Sequence, residues 1–201
     1  MNPQARLVRG IDVSNYQPAD LTELIHRYQA EHIVVRLSTE SQRHREIAIT
    51  QLHSAVANGC TVSGYIWCYW DLDAAAHISA ALDVADEAGV PLVMVWLDAE
   101  DTESANHQRI VTWLHEATVL VEQRGQRCGI YTARWFWDSY VRSEEFAHLP
   151  LWAAQYDNEP TLESVQLFGG WSREMLRGKQ YSADEIDLNV FSELVARGGG
   201  L

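Results

Sequence analysis

At 201 residues and 22.8 kDa the chain has the size of one ordinary domain, enough to bury roughly 70% of its unfolded surface without staples. A hydrophobic content of 47% with 21% charged residues excludes a disordered, collagenous or coiled-coil protein. The balance of 28 acidic against 15 basic residues, a formal net charge of -13, speaks against a phosphate-tracking surface, so nucleic acid is not expected as a partner.

Cys60, Cys68 and Cys128 are odd in number and lack paired spacing, so they read as buried thiols rather than as a disulfide framework or zinc cluster. Residues 1–9 lack the apolar core of a secretory signal and no apolar run reaches membrane-spanning length, so no export address and no membrane partner are expected.

In chain order, a strand over 7–13 leads to Asp20-Leu-Thr-Glu23, whose N-cap acid and N3 acid form a capping box opening a helix over 21–29. Strand and helix then alternate: strand 33–37 with helix 43–58, strand 62–69 with helix 73–88, and strand 92–97 with helix 104–124. Gly59, Gly89 and Gly125 stop these three helices. A fifth strand, 128–132, precedes a shorter helix over 134–141, and a sixth strand covers 151–156. Two more short strands are expected near 165–168 and at either 178–181 or 187–191, without full helices.

This alternation indicates a parallel α/β sheet covered on both faces. An open dinucleotide-binding sheet commonly carries a glycine-rich first turn, and Asp12-Val-Ser-Asn-Tyr-Gln17 contains no glycine. A complete eightfold barrel typically takes about 250 residues. The expected fold is therefore an irregular TIM-like (β/α)5(β)3 barrel, with helices mainly in the first three quarters and the active site at the C-terminal ends of the strands. Residues 1–197 form its single domain, and the glycines at 198–200 read as a tail or the start of a linker.

The run Val90-Pro-Leu-Val-Met-Val-Trp-Leu97 has the pattern of a strand buried on both faces, so Asp98 and Glu100 emerge at its C-terminal end. Residues i and i+2 of an extended strand point the same way, about 6.5–7 Å apart, which puts two carboxylates on one cavity. Such crowding raises a carboxyl pKa and keeps a proton donor near neutral pH. The bland alternative is that these acids begin the next helix, where acidic residues favour the macrodipole. Asp12 at the end of the first strand and Asp187 near the C-terminus would each, alone, pass for turn or capping acids. Together the four converge on one mouth of a closed barrel.

Six segments in order, Gly10-Ile-Asp-Val-Ser-Asn-Tyr-Gln17, Val34-Val-Arg-Leu-Ser-Thr-Glu40, Leu97-Asp-Ala-Glu100, Gly129-Ile-Tyr-Thr132, Leu151-Trp-Ala-Ala-Gln-Tyr156 and Gln180-Tyr181 with Ile186-Asp-Leu-Asn-Val-Phe191, resemble glycoside hydrolase family 25. These are barrel-fold N-acetylmuramidase lysozymes of bacteria and their phages. The resemblance implies cleavage of the β-1,4 bond between N-acetylmuramic acid and N-acetylglucosamine, with Glu100 as general acid. Asp98 would assist the substrate's acetamido group or act as a direct nucleophile, and Asp12 and Asp187 would tune the pair. Tyr65, Trp67, Tyr131, Trp152 and Tyr156 suit stacking on pyranose faces, and Tyr131 is placed to hydrogen-bond the acetamido oxygen. Trp96, Trp113, Trp135 and Trp137 read as core.

Three departures bear on the sugar subsites: Gly64-Tyr-Ile-Trp-Cys-Tyr-Trp70 on the third strand, Ser41 in place of a glycine, and Lys179 in place of a tryptophan. The eight histidines show no ligand spacing, so neither metal nor cofactor is expected. The expected partner is the glycan strand of peptidoglycan, met by a monomer that is made in the cytoplasm, phage-encoded, and acts on the wall after holin release or as a virion component. The alternatives are a non-catalytic glycan-binding barrel and a hydrolase of another acetamido-sugar polymer such as chitin.

Overall fold

The structure, a computed structural model, describes residues 6–104, 106–183 and 185–196. Eight strands close into a barrel in the order of the sequence: β1 (Leu7–Val13), β2 (His32–Arg36), β3 (Thr61–Trp67), β4 (Val95–Asp98), β5 (Cys128–Ala133), β6 (Leu151–Ala154), β7 (Leu176–Ala183) and β8 (Asp187–Ser192). Four helices fill the crossovers of the first half: α1 (Thr22–Tyr28), α2 (Gln42–Ala57), α3 (Ala74–Ala88) and α4 (His107–Gln123). A short α5 (Arg134–Phe136) runs into a π-helical turn over Trp137–Val141, and α6 (Glu193–Ala196) follows β8. The glycine tail expected at 198–201 lies outside the described residues.

Local chemistry sets these boundaries. Ser41, Asp73 and Asn106 cap α2, α3 and α4 by accepting from the backbone N–H of His44, Ala76 and Arg109. Gly59, Gly89 and Gly125 follow the same helices at φ of +78°, +63° and +74°, as a helix stop requires. The expected capping box does not form: Asp20 accepts from Thr22 N at 2.9 Å instead of from Glu23, and α1 begins one residue later, at Thr22. α4 likewise begins at its Asn106 cap rather than at 104.

Two expectations about the last quarter are corrected. Residues 165–168 form no strand; Val165 and Phe168 are buried in a loop, and Phe168 packs edge-on against Trp171 5.5 Å away. An apolar pair anchoring a loop over the barrel wall has the same local pattern as a short strand. The sheet is also not wholly parallel, because β8 pairs antiparallel with both β7 and β1. Only three residues separate β7 from β8, and a parallel return needs a crossover of about a dozen.

The strands alternate between two cores. Ile11, Ile33, Val35, Val62, Ile66 and Ile130 face the helices. Val34, Tyr65, Met94, Trp96, Tyr131, Trp152 and Phe191 fill the barrel interior. Each such ring contributes about 1.5–3 kcal/mol on burial. Trp96 fits because β5 carries Gly129 beside it, where an added Cβ would stand 2.4 Å from the indole. Cys60, Cys68 and Cys128 are free and buried. No helix among the described residues is long and apolar enough to cross a membrane.

Candidate active site

β4 delivers the first acids. Asp98 is its last residue, buried and flanked in register by Trp67 of β3 and Tyr131 of β5. Glu100 follows two residues later and is half-buried. On the other side of the barrel Asp12 of β1 sits directly opposite Asp187, which opens β8 rather than ending it because that strand runs in reverse. Asp12, Asp98, Glu100 and Asp187 line one pocket of about 140 Å³ together with Tyr65, Trp67, Tyr131, Trp152 and Tyr156. The acids and aromatics singled out from the sequence are therefore brought together at the mouth.

Two amides that sequence reasoning left without a role organise this pocket. Gln180 Nε2 and Asn189 Nδ2 both donate to Asp12 Oδ2, at 2.8 and 2.7 Å. Asn189 Oδ1 accepts from Trp152 Nε1 at 2.9 Å, and Gln180 Oε1 accepts from the hydroxyls of Tyr131 and Tyr156 at 2.7 and 2.5 Å. These partners fix the amide orientations. The available signal was spacing, since Asn189 lies at i+2 from Asp187. A third residue without an assigned role, Arg36, packs its guanidinium 5.8 Å over the Trp67 ring and donates to Tyr69 and Glu40.

Burial and mutual repulsion dominate the electrostatics. Burial, then the charge of Asp187, pushes Asp12 up to about 8 against the amide hydrogen bonds. Burial, then Asp187, raises Glu100 to about 7, opposed by the neighbouring Tyr131 hydroxyl. Asp98 is held well above the usual carboxylate range by burial, then by Glu100 and Asp12, with Arg36 acting against them. Burial also raises Asp187. The four thus share fewer than four negative charges at neutral pH and titrate as a set. Asp98 Oδ1 is buried without a protein hydrogen-bond partner, which leaves it free to accept from a ligand.

The aromatics divide by exposure. Tyr65, Tyr131 and Trp152 are buried and form floor and walls, while Trp67 is partly open and Tyr156 is 58% exposed at the rim. Trp96, Trp113 and Trp137 are core, as expected, but Trp135 is 56% exposed, because α5 turns its ring away from the barrel while Phe136 takes the buried position. Among the described residues no group of His, Cys, Asp or Glu is arranged to hold a metal ion.

A family model described as "Glycosyl hydrolases family 25" matches residues 11–187. A Dictyostelium discoideum protein named "Probable GH family 25 lysozyme 3" is 31% identical over 116 residues, covering 51% of this chain and 23% of that protein. The chain spans less than half the length of each of the curated relatives it matches. Among solved structures, a GH25 lysozyme from Aspergillus fumigatus superposes with a TM-score of 0.77 at 19% identity, covering 97% of this chain and 100% of that one. The modular Cpl-1 endolysin, complexed with a peptidoglycan analogue, superposes with a TM-score of 0.69 at 17% identity, covering 94% and 55%. At these identities the structural likeness is one of fold.

Proposed function

Because the chain belongs to glycosyl hydrolase family 25, we propose that it is an N-acetylmuramidase cleaving the β-1,4 bond between N-acetylmuramic acid and N-acetylglucosamine in peptidoglycan. The observation that carries this reading is the desolvated mouth in which Asp98 and Glu100 emerge side by side from β4 among sugar-sized aromatic faces. A glycosidic bond breaks when its leaving oxygen is protonated and the oxocarbenium-like sugar is stabilised.

Glu100 is the proton donor in this scheme. Its pKa near 7 keeps the acid form populated at neutral pH, and its partial exposure lets it reach the glycosidic oxygen. Asp98 is more deeply buried, and its unpartnered Oδ1 suits the N–H of the substrate's 2-acetamido group. Held there, the acetamido carbonyl oxygen attacks the anomeric carbon as the bond to the leaving oxygen breaks and the Glu100 proton moves to that oxygen. Glu100, now a base, then takes a proton from the water that opens the cyclic intermediate. Direct attack by Asp98 is the rival route. Asp187 supplies the charge that, with burial, holds the proton on Glu100, while Asp12 is itself raised to about 8 and is fixed in place by Gln180 and Asn189. Trp67 and Tyr156 offer ring faces to the sugars, while Trp152 and Tyr65 shape the floor.

Digestion of purified peptidoglycan followed by borohydride reduction tests the assignment. Muramitol ends are expected; glucosaminitol ends, or none, overturn it. Glu100→Gln is expected to lower the release of ends by about 10²–10⁴-fold with an unchanged circular dichroism spectrum. Binding without new ends would indicate a glycan-binding barrel, and equal cleavage of chitin oligomers a broader acetamido-sugar hydrolase.

A further inference from the structure

The acid pocket, at about 140 Å³, is small for a polymer, since sites enclosing a ligand of several rings run to about 300–1,000 Å³. Beside it lies a larger groove of about 630 Å³ between the end of β6, α5 and the loop over residues 155–168. The two spaces flank the end of β6, Trp152 lining the pocket and Ala153 and Ala154 the groove. Ala154 belongs to the interior core and also lines the groove, while the next residues alternate, Gln155 and Asp157 lining the groove and Tyr156 the pocket.

The groove has the chemistry of a carbohydrate site. Trp135, on its wall, is the exposed tryptophan among the described residues, and Phe136 and Tyr140 brace its ring edge-on at 5.8 and 6.5 Å. Planar polar groups surround it in fixed positions: Arg134 donates to Asp138 and to Gln166 Oε1, and Gln155 Oε1 accepts from Gln166 N. A rigid aromatic face flanked by held polar groups suits a pyranose ring. The charges along the lining are paired, Asp138 with Arg134 and Asp157 with Lys179, a balance that suits a neutral sugar better than the carboxylates of a stem peptide.

We propose that this groove is a distal subsite, in which Trp135 stacks on a neutral sugar ring of the same glycan strand outside the acid pocket. The subsite rests on the muramidase reading for the identity of the strand. It makes the protein prefer long chains over short ones.

The test uses peptidoglycan glycans of four and eight sugars, freed of stem peptides, binding to Glu100→Gln with and without Trp135→Ala. Calorimetry should show the eight-sugar chain weakened about 2–10-fold by Trp135→Ala and the four-sugar chain unchanged. Equal weakening of both lengths, or of neither, overturns the subsite. So does an effect confined to chains that carry stem peptides, which would assign the groove to peptide. With the native acid in place, Trp135→Ala should raise KM on the long chain and leave kcat unaltered. Binding is read without cleavage, so absence of cleavage by the unmodified protein would sink the muramidase reading without deciding the subsite.

Discussion

The acid that opens β8 acts on Glu100 through charge. Asp187 is the largest charge raising Glu100, so Asp187→Asn should lower the Glu100 pKa from about 7 toward its ordinary value. A general acid works only while protonated, so the alkaline limb of the kcat/KM profile should move down by about one unit, and activity at pH 7 should fall. A limb that stays in place, or moves up, would show that Asp187 does not tune the donor. The four acids were legible from the sequence only as a set, because each alone passes for a capping or turn residue while a closed barrel brings them to one mouth. Gln180 and Asn189 were not. Neutral amides occur in any strand, and their function is visible only once β7 and β8 bring them both onto Asp12 Oδ2. Trp135 was misjudged as core for a related reason, since adjacent Trp135 and Phe136 supply one buried ring and one exposed ring, and local composition does not say which.

At the level of elements, the helical first half was legible to within a few residues because caps and glycine stops act locally. The last quarter was not, because its loop is held by a tertiary contact. Lys179, conspicuous in the sequence only as a departure from the family pattern, is fully buried on the outer face of β7. Its ammonium donates to Asp157 Oδ1 at 2.5 Å, Ser164 Oγ at 2.6 Å and the Glu159 carbonyl at 2.8 Å. The neighbouring Gln180 faces inward and orients Asp12. One strand therefore fastens the loop outside the barrel and the acid inside it, and the fastened loop leads from Tyr156, whose hydroxyl reaches Gln180. Lys179→Met keeps the packing, removes three hydrogen bonds and lets Asp157 turn to water, at a cost of about 1–3 kcal/mol. Asp157→Ala instead strands an ammonium in an enclosed site and should cost more. Denaturant midpoints of the two variants should fall in that order below the unmodified protein; the reverse order would mean that the ammonium is not effectively buried.

For the molecule as a whole, the acid cluster sets the direction in which stability changes with pH. Asp12 and Glu100 have folded pKa values of about 8 and about 7, and those of Asp98 and Asp187 are also raised, so the folded chain binds more protons than the unfolded one across neutral pH. Stability from these groups is fully present below their unfolded values near 4 and is lost as pH rises toward 8. Groups with lowered pKa values oppose this at low pH, His32 and Asp157 foremost. Burial lowers His32 to about 3, so the unfolded chain takes up that proton below about 6.5, and the pairing of Asp157 with Lys179 is lost in strong acid. Above pH 6.5 the unfolded chain progressively loses its histidine protons as well, and those held by the cluster in the folded chain outnumber them. Tm should therefore fall steadily between pH 6.5 and 8, and Glu100→Gln, which removes one carboxyl and its repulsion, should flatten that fall while lowering activity. The formal charge of -13 supplies a competing cause, since repulsion among surface acids also destabilises a compact chain. Salt separates the two. Exposed charges are screened over about 3 Å at 1 M ionic strength, whereas buried neighbours are screened much less. A Tm decline that persists in 1 M sodium chloride locates the cause in the barrel mouth; one that disappears assigns it to the surface.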